Sequence, residues 1–325
     1  MKRTALAFAL SIGMGLLGLY LVGGRVFDPA TYASARMDVR LLAGAAVAAS
    51  TQWWLPAWRL ALLLGIQGIR LPRGTPLLLH LTYTLGSALT PGGSGGGPAL
   101  ATSLRYLGVP WGRGIAVAVQ VFVLDITFLA WAAPVAILYL TLLRGVTLPV
   151  PLQLLAGASV ALAAAAALLL AHFPRVSVRL ILWFGRRRPF RRRRARSLGI
   201  ARDYYRAARI FGRLRPADWV VLGVAHVGGW LSSFVVFWAL LNLYHPADLL
   251  DVAAGLSMAS LLSLAMPTPG ASGFMEAVVG LGAMSRVDAD LVTAPVLLWR
   301  FATFYVVFAA GPVASWCLLR RARRA

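Results

Sequence analysis

Long apolar segments fill most of this chain, and short polar or basic segments separate them. A helix needs about 20 apolar residues to cross a hydrocarbon core about 30 Å thick. The pattern therefore predicts an all-α polytopic membrane protein with about six full transmembrane helices. Pro56 and Arg59 lie in the second span, so we expect it to kink, or to end early and continue along the interface. The predicted spans are residues 4–24, 39–66, 114–142, 150–173, 217–243 and 290–318.

Two further apolar segments, residues 75–90 and 249–266, are too short to cross the membrane as simple spans. Each runs into a glycine-rich break that begins Thr-Pro-Gly. A second short apolar segment follows each break, at about 96–107 and 274–285. We expect two re-entrant hairpins, each made of two half-helices that meet near the middle of the membrane.

The two breaks are copies of one another. Thr90–Gly95 reads Thr-Pro-Gly-Gly-Ser-Gly, and Thr268–Gly273, which lies 178 residues later, reads Thr-Pro-Gly-Ala-Ser-Gly. The same offset carries Pro134–Ala136 onto Pro312–Ala314, so about 45 residues align without a gap. Two matches in register indicate an internal duplication.

The duplication divides a single transmembrane domain, residues 1–325, into repeat 1 at about 39–142 and repeat 2 at about 217–318. The first hairpin lies between the second and third spans and enters from the cytoplasm, whereas the second hairpin enters from outside. The repeats are therefore inverted, which is the basis of alternating access in many transporters. The plainer alternative is two broken helices kept for close packing, and hairpins that cross fully would give ten crossings with the same orientation.

The charge of the chain is concentrated in one loop. Lysine and arginine number 32 against 10 acidic residues, which gives a net charge of +22, and fifteen arginines lie between Arg175 and Arg215. By the positive-inside rule the basic loop 174–216 and both termini are cytoplasmic, in a multi-pass protein of the cell (inner or plasma) membrane. We expect the loop to bind anionic lipids of the inner leaflet. Nucleic acid is not expected as a partner, because no aromatic or structured reader accompanies the arginines.

The glycine-rich breaks predict a binding site for an anionic group. They leave backbone N–H groups unpaired at membrane depth, which is tolerated only beside a cavity or a ligand. Each break precedes a half-helix whose electropositive N-terminus favours phosphate. Ser94 and Ser272 can donate to a ligand, although capping the half-helices is the plainer role. The candidate substrate-binding residues of the breaks are Gly92, Gly93, Ser94, Gly95, Pro269, Gly270, Ser272 and Gly273.

Three charged residues are expected to be buried at membrane depth, where a charge is costly and is usually functional or paired. Asp125 lies near the middle of the third span, Arg300 near the middle of the sixth, and Glu276 in the first turn after the second break. These residues either contact substrate or form a structural pair, Glu276–Arg300 or Asp125–Arg300. Arg105 flanks the first hairpin on the cytoplasmic side, where it collects a lipid headgroup or anchors the helix.

Taken together, Pro91–Pro98 (Pro-Gly-Gly-Ser-Gly-Gly-Gly-Pro) and Pro267–Glu276 (Pro-Thr-Pro-Gly-Ala-Ser-Gly-Phe-Met-Glu) resemble the flippase-like transmembrane domain of lysylphosphatidylglycerol synthases and their stand-alone relatives. The resemblance covers essentially the whole chain. It implies an inverted-repeat fold that moves phospholipids, such as aminoacylated phosphatidylglycerol, between leaflets. The aminoacyl-transferase domain of the fused synthases is not found in these residues, so we expect a stand-alone member that does not synthesise lipid. Polyprenyl-phosphate or glycolipid carriers are alternative substrates.

Other function classes find less support in the residues. Gly92–Gly96 satisfies the G-x-S-x-G pattern of hydrolases, but no histidine follows Ser272 and a strand-to-helix turn is not predicted, so we do not expect an enzyme. The four histidines lack metal-ligand spacing and are expected to be interfacial or packed, and neither metal nor cofactor is expected. A secondary transporter of a small solute is the main rival, and a scaffold whose basic loop recruits partners is a third class. The sequence leaves open whether the protein forms a homo-oligomer.

Overall fold

The computed structural model describes residues 38–147, 194–211, 214–284 and 289–323, together with isolated positions between 150 and 165. These residues form helices that are joined by short loops and by the two breaks. The predicted span 4–24 and most of the span 150–173 lie outside the described residues. The helices described in full are α1 (Val39–Ile66), α2 (Thr75–Ala88), α3 (Gly96–Tyr106), α4 (Trp111–Leu142), α5 (Arg194–Phe211), α6 (Pro216–Asn242), α7 (Leu249–Ser263), α8 (Phe274–Met284), α9 (Ala289–Arg300) and α10 (Val307–Ala322).

Three described segments are long and apolar enough to cross a membrane, namely Trp111–Leu142, Pro216–Asn242 and Val292–Ala322. The last of these contains a π-helical turn, Phe301–Tyr305, between α9 and α10. The protein is therefore a helical, multi-pass membrane protein. The half-helices of both predicted hairpins also lie close to their expected bounds, since the helices around the breaks end at Ala88 and Ser263.

Helix α1 is continuous through Pro56 and Arg59, so the expectation that this span ends early is wrong. Two glycines of α6 allow the two helices to approach closely at this point. A Cβ atom added to Gly229 would lie 2.9 Å from the Cγ atom of Pro56, and one added to Gly228 would lie 2.8 Å from Leu55. Small residues at a helix crossing permit this kind of packing in membranes. Replacing Gly229 would force the helices apart, because the Pro56 ring cannot turn away, whereas at Gly228 the Leu55 side chain can move aside.

Helices α1 and α6, which occupy equivalent positions in the two repeats, run antiparallel. Ala45 near the start of α1 shares an apolar cluster with Leu241 near the end of α6. Leu60 near the end of α1 shares another cluster with Leu222 near the start of α6.

Each hairpin packs against the last helix of the other repeat, because α2 contacts α10 and α7 contacts α4. Arg321 near the end of α10 donates to the Thr75 hydroxyl at the start of α2, over 2.6 Å. The corresponding contact lies at the start of α7, where Arg144 donates to Asp248 over 2.7 Å. The pKa of Asp248 is held below its usual range, chiefly because the carboxylate accepts the Leu250 N–H and then because Arg144 lies beside it. Two similar polar contacts therefore close the two hairpin–helix pairs.

The helices after the breaks preserve the offset found in the sequence. Helices α3 and α8 begin at Gly96 and Phe274, which are 178 residues apart. We call two residues separated by this offset mates. Because the mates begin equivalent helices, the structure can be compared residue by residue between the repeats.

Helix α5 is amphipathic and contributes the described part of the basic loop. Its buried face is formed by Ala201, Tyr204 and Ala207, and the last two pack with Ala116 of α4. Its outer face exposes arginines at helical spacing. These arginines are Arg202, Arg206 and Arg209.

Candidate functional site

A cavity of about 380 Å³, which we call the central cavity, lies between α1, α2, α4, α6 and the two breaks. This volume falls in the range of pockets that hold small molecules. Apolar side chains form much of its wall, and polar groups converge on it from both repeats. The polar side chains of the lining are Gln52, Arg59, His80, Tyr83, Thr84, Ser87, Asp125, His226, Ser233, Ser260, Ser263 and Thr303.

An ion pair between Arg59 of α1 and Asp125 of α4 stands in the wall of the central cavity. The Arg59 Nη1 atom lies 2.7 Å from Asp125 Oδ1, and the side chains are 4% and 23% exposed respectively. The carboxylate therefore faces the cavity, whereas the guanidinium group lies behind it. The Tyr83 hydroxyl donates to the second carboxylate oxygen over 3.1 Å. The pair carries no net charge, so the cavity wall is polar rather than strongly anionic or cationic.

His226 of α6 completes the support of Arg59. Its Nε2 atom lies 2.9 Å from the carbonyl oxygen of Leu124, which can only accept, so Nε2 carries the proton. Its Nδ1 atom then accepts a hydrogen bond from Nη1 of Arg59. The Nε atom of Arg59 is buried and has no hydrogen-bond partner among the described residues. Arg59 thus retains an unused donor beside the cavity, which is uncommon for a buried group.

His80 of α2 is buried in the cavity wall beside Tyr83. Their ring centroids are 6.4 Å apart and the rings are nearly parallel, with an interplanar angle of 23°. Trp53 of α1 lies on another side of His80, at 6.0 Å between centroids. The cavity therefore combines an ion pair with aromatic and imidazole surfaces.

The second break is closed by a group of three residues that we call the latch, namely Glu276, Arg300 and Tyr305. The Glu276 side chain is fully buried and its Oε1 atom lies 2.7 Å from Arg300 Nε. The Tyr305 hydroxyl donates to the same oxygen over 3.1 Å. The other carboxylate oxygen accepts the N–H of Gly273 over 2.7 Å, which caps α8. Both oxygens of Glu276 are therefore engaged, and neither atom lines the central cavity.

The Phe304 ring separates Arg300 from the central cavity. The Arg300 guanidinium carbon lies 4.0 Å from the centroid of this ring, at the distance of a cation–π contact. Phe304 also lines the cavity, as do Gly270 and Ala271 of the break, whereas Arg300 does not. A Cβ atom at Gly270 would collide with the Phe304 ring. Glycine at this position therefore allows the ring to close against the break.

The first break is held differently. The N–H of Gly95 donates to the Thr90 hydroxyl over 2.7 Å. Ser94 instead donates to the carbonyl of Pro91 over 3.1 Å and makes no capping contact with α3, so the expected capping role of Ser94 is wrong. Gly92 and Gly93 adopt positive φ angles of 57° and 69°, which glycine tolerates best.

A second cavity of about 470 Å³ forms a groove between α3 and α4, which we call the α3/α4 groove. Its lining is apolar apart from Ser94. Gly92, Gly93 and Phe122 line both this groove and the central cavity, so the two spaces adjoin at the first break. The Phe122 side chain is 50% exposed at this boundary. The central cavity, whose wall contains the Arg59–Asp125 ion pair, thus adjoins an apolar groove between α3 and α4. The remaining lining residues of the groove are Gly97, Pro98, Ala101, Ile115, Ala118 and Val119.

The candidate residues from the sequence divide into two groups. Gly92, Gly93, Asp125 and Gly270 line the central cavity, and Ser94 lines the adjoining groove. The others do not line the central cavity, and they lie in the two breaks, in α8, at the end of α9 or, in one case, on the exposed end of α3. These residues are Gly95, Pro269, Ser272, Gly273, Glu276, Arg300 and the exposed Arg105.

The structure also shows which of the expected ion pairs form between the buried charges. Arg300 pairs with Glu276, and Asp125 pairs with Arg59 rather than with Arg300. Arg59, His80, Tyr83 and His226 are cavity residues that sequence reasoning missed. The signal for Arg59 was present, because a cation inside an apolar span is a candidate functional residue by default.

His80 and His226 had no such signal, since a histidine in an apolar helix can equally well serve packing alone.

A comparison with known protein families covers nearly the same helices as those described above. The model of the lysylphosphatidylglycerol synthase TM region matches residues 4–311. The chain belongs to this family. No curated protein matched the chain. Membership in the lysylphosphatidylglycerol synthase TM family associates this membrane domain with lipids, and the central cavity and both breaks lie inside the matched region.

Proposed function

We propose that this family member moves a phospholipid between membrane leaflets by alternating access at its two breaks. The proposal is carried by the junction of the central cavity, which contains the Arg59–Asp125 ion pair, with the apolar α3/α4 groove. The two spaces meet at Gly92, Gly93 and Phe122. A phospholipid needs polar surroundings for its headgroup and apolar surroundings for its acyl chains, and only such a junction provides both. A carrier of a small solute would need a closed aqueous vestibule instead.

The chemistry of the cavity favours a headgroup that carries both signs of charge or many hydroxyl groups. Asp125 presents a partly exposed carboxylate, and Arg59 lies directly behind it with one donor unused. An ammonium group can bind Asp125 while a phosphate draws on Arg59, as charge-assisted hydrogen bonds are the strong ones. Aminoacylated phosphatidylglycerol, or a related anionic or polar lipid, fits this pattern.

The proposed cycle uses the two hairpins as inverted, re-entrant elements. The antiparallel packing of α1 and α6 supports inversion, because an inverted duplication requires equivalent helices to run in opposite directions. The hairpin–helix contacts at Thr75 and Asp248 support it as well. The protein then transports and catalyses no covalent step. Its termini and basic loop face the cytoplasm of the cell membrane, where Arg202, Arg206 and Arg209 bind anionic lipids.

A reconstitution experiment tests the proposal. Purified protein is placed in vesicles with a fluorescent phospholipid, and the fraction that a membrane-impermeant quencher reaches is followed with time. Val119→Trp fills the α3/α4 groove and is expected to reduce translocation at least about tenfold. Val220→Trp is the matched control, because Val220 lies on the surface of α6 and is 64% exposed. Equal translocation by both variants and the parent would remove the groove from the mechanism and the proposal with it.

A further inference from the structure

Mates in the two repeats differ sharply in exposure on either side of the breaks. Ser94 is exposed, whereas its mate Ser272 is fully buried. Pro98 is exposed, whereas its mate Glu276 is fully buried. Repeat 1 is therefore open where repeat 2 is closed.

The same contrast recurs at part of the α3/α4 groove. Phe122 at its inner end is 50% exposed, while its mate Arg300 is 5% exposed. The mates of the other groove residues lie on α8 and α9. Met275 and Thr293 are buried, whereas their mates Gly97 and Ile115 are partly exposed. Ala101 and Ala118 are buried, and so are their mates Val279 and Val296.

We infer that the interface between α8 and α9 is a second lipid portal, which the latch holds closed in this structure and which a lipid phosphate opens by replacing Glu276 on Arg300. The inference rests on the proposed function, since it names the site through which the same lipid leaves or enters on the other half. In a duplicated fold the two halves exchange their open and closed arrangements during the cycle. The residues that line one portal then predict the residues that line the other.

The chemistry of the closed portal differs from that of the open one. Where the α3/α4 groove has Pro98 and Phe122, the second portal has Glu276 and Arg300. A phosphodiester matches the guanidinium group of Arg300 as well as a carboxylate does, so it can compete with Glu276 for this cation. A phosphate-bearing lipid would therefore enter only by breaking the pair.

If Glu276 leaves the start of α8, a second residue can cap this helix in its place. The Thr268 hydroxyl is buried and has no hydrogen-bond partner among the described residues. Its mate Thr90 accepts the N–H of Gly95, and Gly95 is the mate of Gly273. The N–H of Gly273 now donates to Glu276. Thr268 is thus the residue that can accept this N–H when the latch opens, which accounts for an otherwise unsatisfied buried hydroxyl.

Cysteine labelling tests the portal directly. In a Cys317→Ser background, Ser272→Cys reports the second portal and Ser94→Cys is the matched control on repeat 1. Glu276→Gln is expected to raise the rate at which N-ethylmaleimide labels position 272 at least about tenfold, because it removes the charge from a buried pair. Labelling at position 94 should stay the same or slow. Thr268→Val, added to Glu276→Gln, should reverse much of the increase.

The ligand is tested with short-chain phosphatidylglycerol added to the protein in detergent. We expect it to accelerate labelling at position 272, and we expect Arg300→Gln to abolish this acceleration. Glycerol phosphate and inorganic phosphate are the comparison arms, and an equal effect from either would replace the lipid portal with a site for free phosphate.

A second latch variant guards against loss of the fold. If Glu276→Gln fails to fold, Tyr305→Phe weakens the latch by a single hydroxyl and should raise labelling at position 272 by a smaller factor. Unchanged labelling in a folded latch variant, with lipid translocation intact, would overturn the second portal and leave the proposed function standing. Accelerated labelling without any lipid translocation would retain the latch as the lock of the interface and overturn the function.

Discussion

Pro91 and Pro269 are mates in the two repeats, and they face each other as an isolated antiparallel bridge. Proline has no N–H, so the hydrogen bonds of such a bridge fall to the flanking residues. The two breaks therefore touch next to the central cavity, which Gly92 and Gly270 line.

This contact predicts a disulfide between the breaks. Antiparallel residues that exchange no hydrogen bonds have Cα atoms about 4.5 Å apart, which is within the range of disulfides. In a Cys317→Ser background, Pro91→Cys with Pro269→Cys should form an intrachain bond on mild oxidation and stop translocation. Reduction of the disulfide should restore translocation. Each single variant is the control, and a pair that never cross-links would contradict the bridge.

The two substitutions that break the Arg59–Asp125 pair should lower the free energy of unfolding by different amounts. Asp125→Asn leaves the Arg59 cation, whose side chain is 4% exposed, without its partner, and we expect a cost of about 3–5 kcal/mol. Arg59→Gln leaves a carboxylate that the cavity can hydrate, so its cost should be smaller. Thermal unfolding in detergent measures both. The double variant should be more stable than Asp125→Asn alone, and equal losses in the two single variants would argue against the difference in burial.

Headgroup preference should depend on Asp125 and not on Glu276. Asp125 faces the central cavity, whereas both carboxylate oxygens of Glu276 are already bound, one by Arg300 and the other by the Gly273 N–H. We expect Asp125→Asn to lower translocation of an aminoacylated lipid relative to plain phosphatidylglycerol. Glu276→Gln should change the overall rate but leave this ratio as it is. The ratio is measured for both lipids in the same vesicles. An unchanged ratio in Asp125→Asn, with translocation preserved, would favour a simple phosphate carrier as substrate.

Alanine should be tolerated at Gly93 better than at Gly270. Both glycines have positive φ angles, of 69° and 59°, but a Cβ atom at Gly93 would lie 3.7 Å from the nearest side-chain atom, whereas one at Gly270 would strike Phe304. Ala271, the mate of Gly93, already adopts a φ angle of 51°. We expect Gly93→Ala to cost about 1 kcal/mol and Gly270→Ala clearly more. Phe304→Leu should recover part of the loss at Gly270 in the same unfolding assay, and no recovery would mean that the ring is not the obstacle.

Much of the architecture followed from local features of the chain. Apolar length predicted the helices, and proline and glycine predicted the breaks, because both act over a few residues. The repeated Thr-Pro-Gly segments placed the mates in register before any contact was known. The sequence by itself therefore predicted the approximate bounds of the apolar helices that the structure describes, and which residues of the two repeats correspond, but it did not predict α5 within the basic loop.

The partners of the buried charges required the tertiary structure. Arg59, Asp125 and His226 come from α1, α4 and α6, and they meet only because the helices of the two repeats pack together. Nothing local distinguishes the pair that faces the cavity from the pair that closes the second break. The unequal burial of Ser94 and Ser272 was equally hidden, since the two segments are nearly identical in sequence. Burial depends on how each half packs, and packing is a property of the whole molecule.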